Sequence, residues 1–273
     1  MNLYFELLGQ PVFTAEYVRK YYSNVNSTRS ALKRLLKQNL ILKIRNNLYT
    51  CVSGETGAPV ASRYQIACKI TDTAYLSHHT AAEYHGFSNQ VYYDVYVASA
   101  TRFHDFEFDG YTYKYISAKS GSGVEAVKYS GGVRVTDLER TLADSIEDMD
   151  KISGIEEIIS MIRQIRKIDE KKLRVYLNER DKNFLYQKTG WLLETYGNAG
   201  ISDSFYQFCR NHIGKSKRYL TKDITKGIYN SKWKLIVPDG EAFMKNGENE
   251  LLFSEEGILE NIKEHPMALW KCR

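Results

Sequence analysis

Residues 14–52 read TAEYVRKYYSNVNSTRSALKRLLKQNLILKIRNNLYTCV, and their pattern decides the fold at this end of the chain. Thr14 is placed to cap a helix, and Glu16 stands in its first turn, where the helix dipole favours an acid. Tyr17, Val18, Tyr21 and Tyr22 then recur at helical spacing. The polar run Ser23 to Asn26 breaks the pattern, and Ser27 is suited to cap a second helix through about Gln38. In that helix Thr28, Leu32, Leu35 and Leu36 share one face, which predicts burial, while Arg29, Ser30, Lys33, Arg34 and Lys37 collect on the opposite face. Asn39 tolerates the left-handed conformation that ends a helix. Strands follow at 41–45 and 48–52, joined by Asn46-Asn47, a pair suited to a two-residue type I′ turn. Helix, short turn, basic helix and hairpin predict a winged helix-turn-helix. Its second helix would enter the major groove of double-stranded DNA, with Lys43, Arg45 and Asn46 on the wing. The competing reading is a helix with a solvated basic face followed by an unrelated hairpin.

Charge distribution favours the first reading. The chain carries a modest net +5, but residues 1–50 hold eight basic residues against Glu6 and Glu16, a local +6. Of the 38 basic residues this leaves 30 elsewhere, against 31 acids. Excess positive charge gathered in one segment is the footprint of a polyanion binder. Composition excludes several other classes. No apolar run approaches the roughly 20 residues that span a bilayer, and Met1 to Gln10 has no positive region ahead of an apolar one. Cys51, Cys68, Cys209 and Cys272 form no CxxC pair, which speaks against a zinc site or disulfide framework and predicts a reducing, cytoplasmic setting.

The run Ser53-Gly54-Glu55-Thr56-Gly57-Ala58-Pro59 reads as a linker, dividing a DNA-binding domain (1–52) from a larger domain (60–273). Beyond it, helical periodicity covers 60–70 and 77–86, with a short strand at 74–76. Residues 91–98 alternate, and 103–108 and 111–116 flank Asp109-Gly110, a hairpin signal. Short strands at 124–129 and 133–135 precede a helix opened by a Thr136/Glu139 capping box. Residues 153–211 read as helices, followed by one strand at 233–237. The whole predicts a mixed α/β (α+β) chain in which a mostly antiparallel sheet is packed by helices.

The block Leu76-Ser77-His78-His79-Thr80-Ala81-Ala82-Glu83-Tyr84-His85-Gly86, after a basic winged helix and a short linker, resembles the AbiEi antitoxin family, and Val135-Thr136-Asp137-Leu138-Glu139-Arg140-Thr141-Leu142-Ala143-Asp144 is similar to a second block of that family. The resemblance implies an antitoxin of a type IV toxin–antitoxin system linked to abortive phage infection. Such a protein represses its own operon through the winged helix and opposes a nucleotidyltransferase-like toxin through its C-terminal domain, without a stable complex. The family often has glycine before the tyrosine of the wing; here the stretch is Asn46-Asn47-Leu48-Tyr49.

Other motifs are weaker. His79 and Glu83 stand four apart near His78 and His85, but there is no HExxH and no third ligand, so no metal is expected. Asp144 follows Arg140 by four residues, the spacing of an intrahelical ion pair. Gly214-Lys215-Ser216 lacks the earlier glycine of a P-loop, Cys209 standing in its place, and Ser120-Gly121-Ser122-Gly123 reads as a turn. Lys215, Lys217, Arg218, Lys222 and Lys226, with Lys232 and Lys234 beyond, form a second basic stretch, a candidate polyanion or antitoxin surface. Residues 239–264 are the reverse, with eight acids against Lys245 and Lys263. The expected protein uses no cofactor and no catalytic residue, and binds its promoter as two copies on an inverted repeat. A ligand-sensing repressor using the tyrosine-rich stretch 92–115, or a DNA-targeted nuclease using Asp144, are the alternatives.

Overall fold

Three hydrophobic clusters organise the chain, whose computed structural model describes residues 3–88, 91–119, 122–152, 154–224 and 226–239. The architecture is mixed α/β, with ten helices and three sheets among the described residues. The first cluster gathers α1 (Leu3–Leu8), α2 (Ala15–Arg19), α3 (Val25–Lys37) and the hairpin of β1 (Ile41–Arg45) and β2 (Leu48–Cys51). Thr14 caps α2, its hydroxyl accepting from the Tyr17 amide at 3.3 Å. α3 begins earlier than Ser27: Asn24 is the cap, its Oδ1 accepting from the Ser27 amide at 2.8 Å. Thr28, Ala31, Leu32 and Leu35 are its buried stripe. The helix ends in a Schellman closure, with Asn39 left-handed (φ +53°), its amide on Leu36 O and the Leu40 amide on Leu35 O. α1 has no counterpart in the sequence reading; it buries Leu3 and Leu7. Between α1 and α2, Phe13 bridges Tyr49 with two backbone bonds of 2.9 Å, so a third short strand flanks the hairpin.

The segment 53–59 is a closed loop rather than an open tether. Val52 bridges Pro59, and the Ser53 and Gly57 amides donate to Ala58 O and Ser53 O. The Thr50 hydroxyl accepts from the Ala61 amide across its base. Val12, Ile44 and Leu48 belong to one cluster with Ala61, Ile66 and the sheet residues Val97 and Val135, so apolar packing continues across this loop.

That sheet has six strands in the order β5-β6-β4-β3-β8-β7: β3 (Tyr75–Leu76), β4 (Asp94–Ser99), β5 (Phe106–Phe108), β6 (Tyr111–Ser117), β7 (Val124–Ala126) and β8 (Arg134–Thr136). The pairs β3/β4, β5/β6 and β7/β8 are antiparallel, while β3/β8 and β4/β6 are parallel. Asp109 (φ +51°) and Gly110 (φ +77°) are both left-handed at the β5–β6 turn, the type I′ geometry that their residue types predict. α4 (Arg63–Ala67) covers the sheet, opened by a Ser62/Gln65 capping box.

The two sequence blocks 76–86 and 135–144 lie side by side. Leu76 pairs with Val135, and the helices that follow, α5 (His78–Tyr84) and α6 (Leu138–Glu147), pack antiparallel. His85 at the end of α5 donates from Nε2 to Thr136 O (2.7 Å), just ahead of α6. The expected Thr136/Glu139 capping box does not form. Asp137 caps α6 through the Arg140 amide, and Glu139 accepts from the Asp169 amide. α7 (Gly154–Gln164), α8 (Glu170–Arg180), α9 (Asn183–Tyr196) and α10 (Asp203–Asn211) complete a helical layer around Trp191, Phe205 and Trp233. Where one final strand was expected there are three, β9 (Arg218–Tyr219), β10 (Gly227–Asn230) and β11 (Leu235–Pro238), in the order β10-β11-β9.

Candidate nucleic-acid interface

α3 carries no acidic residue, and its outer face presents Arg29, Ser30, Lys33, Arg34 and Lys37, all exposed. Among the described residues none of these four cations has an ion-pair partner. Several cations of the larger domain are matched instead, Lys114 with Asp94, Lys119 with Glu147 and Asp148, and Lys172 with Asp137. The inner face is fixed by Ala31, Leu32 and Leu35 against Leu7, Val18 and Ile41, so the basic face cannot rotate inward without exposing that stripe.

The hairpin departs from the sequence reading in two ways. Asn47 is left-handed (φ +59°) but Asn46 is not, and the register slips between Lys43 and Arg45. The connection keeps the expected two residues, between paired Arg45 and Leu48, but one left-handed residue and a bulge at Ile44 replace type I′ geometry. Strict alternation would put Lys43 and Arg45 on one face. The bulge instead turns Ile44 inward and separates them. Lys43 and Asn46 are exposed. Arg45 flanks the turn, but its side chain is half-buried, its guanidinium 5.1 Å from the Phe106 ring centroid and 5.7 Å from that of Phe103. Its Nη1 is sealed from solvent without a hydrogen-bond partner. Asn47 ties the tip back to α2: its Oδ1 accepts from the Ala15 amide (3.0 Å) and its Nδ2 donates to Glu16 (2.8 Å). That hydrogen bond from Asn47 is the main cause holding the Glu16 carboxyl below its ordinary range.

The second basic stretch is exposed at Lys215, Lys217, Arg218, Lys222 and Lys226. Arg218 lies over the Phe184 ring and Lys217 over that of Tyr229, while Lys232 pairs with Glu194 and Lys234 donates to Gly214 O. Of the acidic run, residues 240–264 lie outside the described residues, as do Ser120 and Gly121.

The histidines disperse to separate partners. His78 meets Ser77 and Asp148, His79 stacks on Tyr92 and donates to Asp94 O, and Glu83 pairs with Arg63. Among the described residues no three His, Cys, Asp or Glu side chains are grouped to hold a metal. Asp144 is locked: Oδ2 accepts from Arg140 Nε (2.8 Å) and Oδ1 from Arg180 Nη2 (2.7 Å). Burial would raise its pKa, but the charges of Arg140, His78 and Arg180 hold it below its ordinary value. Arg140, fully buried, also reaches Ser122 O and the Tyr75 hydroxyl. Sequence reasoning found the Arg140–Asp144 pair; Arg180, 36 residues on, carries no local signal. No described helix is long and apolar enough to cross a membrane.

No family model and no curated protein matches the sequence. Among solved structures the chain is similar to the RV2827C protein from Mycobacterium tuberculosis, with a TM-score of 0.63 and 12% identity over 86% of this chain and 89% of that one. At that identity the likeness shows a shared fold and nothing further.

Proposed function

We propose that the chain is a DNA-binding antitoxin that represses its own operon. The order α1, bridging Phe13, α2, α3 and the β1–β2 hairpin supports reading residues 3–52 as a winged helix-turn-helix, a DNA-binding domain followed by an effector domain from about residue 60. The single observation that carries the reading is the unpaired basic face of α3. From Arg29 to Lys37 it runs about 12 Å at 1.5 Å per residue, matching the width of the major groove. Arg29, Ser30, Lys33, Arg34 and Lys37 would meet bases and phosphates there, with Lys43 and Asn46 reaching the backbone from the hairpin. Arg45, engaged by Phe103 and Phe106, is left out of that set. Two copies on an inverted repeat would supply the area that one module lacks.

The antitoxin half rests on the resemblance of residues 76–86 and 135–144 to the AbiEi family. It assigns the larger domain to opposing a nucleotidyltransferase-like toxin in the cytoplasm, without a stable complex and without catalysis. Replacing Arg29, Lys33 and Lys37 together by Ala abolishes promoter binding in a gel shift while circular dichroism stays unchanged; retained affinity at physiological salt removes the assignment. The same triple variant, co-expressed with such a toxin encoded beside it, still rescues growth if the two roles belong to separate domains.

A further inference from the structure

The small sheet after α10 exposes a face that the duplex-binding role leaves unused. In β11, Leu235 and Val237 are buried in the helical core, so Ile236 between them lies on the opposite face. Ile236 is in register with Tyr229 of antiparallel β10 and with Tyr219 of parallel β9. The three therefore form one lateral row, Tyr219–Ile236–Tyr229, turned away from the core. Two strand spacings set the tyrosines about 10 Å apart. Both are exposed, Tyr219 by 54% and Tyr229 by 42%.

Charge surrounds this row. Lys217, two residues before Tyr219 and on its face, holds Nζ 4.6 Å from the Tyr229 ring centroid. Lys222 lines a shallow cleft with Tyr219, Phe184, Thr221, Ile224 and the acid Asp150. Lys215 and Lys226 flank the stretch, exposed and without an ion-pair partner among the described residues. Arg218 alternates to the other face, over Phe184. Asp223 is the one acid between residues 215 and 226.

Flat aromatic rings on a sheet face cannot reach bases stacked inside a duplex, but they accept bases that are already unpaired. Neighbouring lysines then neutralise the phosphates between them. We propose that this face binds single-stranded nucleic acid, with unpaired bases stacked on Tyr219 and Tyr229 and the backbone held by Lys215, Lys217, Lys222 and Lys226. The proposal does not depend on the role given to α3.

The test is fluorescence anisotropy of the full chain with fluorescein-labelled single-stranded 12-mers of mixed sequence, one RNA and one DNA, across a salt series. The wild-type chain binds at least one of them, more weakly as salt rises, and a preference for RNA identifies the 2′-hydroxyl as a further contact. Tyr219→Ala and Tyr229→Ala each weaken binding by roughly five- to a hundredfold, the loss of one stacked base. Tyr219→Phe, which keeps the ring, retains it. The α3 triple variant R29A/K33A/K37A loses promoter duplex but keeps the single strand, so failure of one reading is distinguishable from failure of the other. No single-strand binding by the wild-type chain overturns the proposal. So does binding that both alanine variants preserve, since attraction to lysine alone would then account for it.

Discussion

Replacing Asp144 by Asn isolates what the block 135–144 does. The carboxylate accepts from Arg140 at 2.8 Å and Arg180 at 2.7 Å, and the side chains of those arginines are 0% and 7% exposed. Asparagine keeps the shape and one acceptor oxygen but removes the charge, leaving two buried guanidinium groups under-compensated. Breaking a buried pair by removing one partner costs about 3–5 kcal/mol. Arg140 keeps Ser122 O, and Arg180 keeps Glu147 at 3.3 Å, which places the expected loss near the lower end, about 3–4 kcal/mol. For a chain of this size that corresponds to a fall in Tm of roughly 6–16 °C. Urea unfolding at pH 7, followed by far-UV circular dichroism, measures it. Acid sensitivity supplies an internal check. The Asp144 pKa is depressed in the folded state, so its stabilisation is fully present above the ordinary carboxylate value and fades as pH falls through the folded one. The variant lacks that component. A loss under about 1 kcal/mol, the range of a solvated surface pair, refutes the reasoning and returns Asp144 to the list of groups free for chemistry.

Gly190 in α9 lies against the Trp233 indole where a Cβ would stand, so Gly190→Ala forces the buried ring aside and costs about 1–3 kcal/mol, read as a lower urea midpoint. Asn47→Gly keeps the left-handed turn but drops the bonds to Ala15 and Glu16; promoter affinity falls, and the Glu16 pKa followed by NMR returns upward toward its ordinary value. Lys43→Ala and Arg45→Ala separate contact from packing. The first lowers the slope of log affinity against log salt by about one per bound copy; the second leaves that slope unchanged and reduces thermal stability, because Arg45 sits over Phe103 and Phe106.

Elements with a local chemical cause were legible in the sequence. Asn39 ends α3 and Asp109-Gly110 turns the β5–β6 hairpin because left-handed geometry selects those residues, and the α3 faces follow from 3.6-residue spacing. Where two neighbouring side chains offered the same bond, the choice was not legible. Asn24 rather than Ser27 caps α3, and Asp137 rather than Thr136 caps α6. α1 went unseen because six residues carry too little periodicity, and Leu3 and Leu7 gain their burial from α3 and the hairpin. β9 and β10 are short and exposed, with none of the alternation that marks a half-buried strand. Arg45 was misplaced by a bulge, which shifts one register without changing composition. In the loop 53–59 the turn-forming residues were read correctly, but not the bridge from Val52 to Pro59 that closes it.

The most direct test of the central claim is a gel-shift titration of the full chain on its own upstream DNA, run beside R29A/K33A/K37A and across a salt series. Sequence-selective binding that weakens steeply with salt and disappears in the triple variant is the expected result. Absence of selective binding by the wild-type chain, or equal binding by the variant, contradicts it.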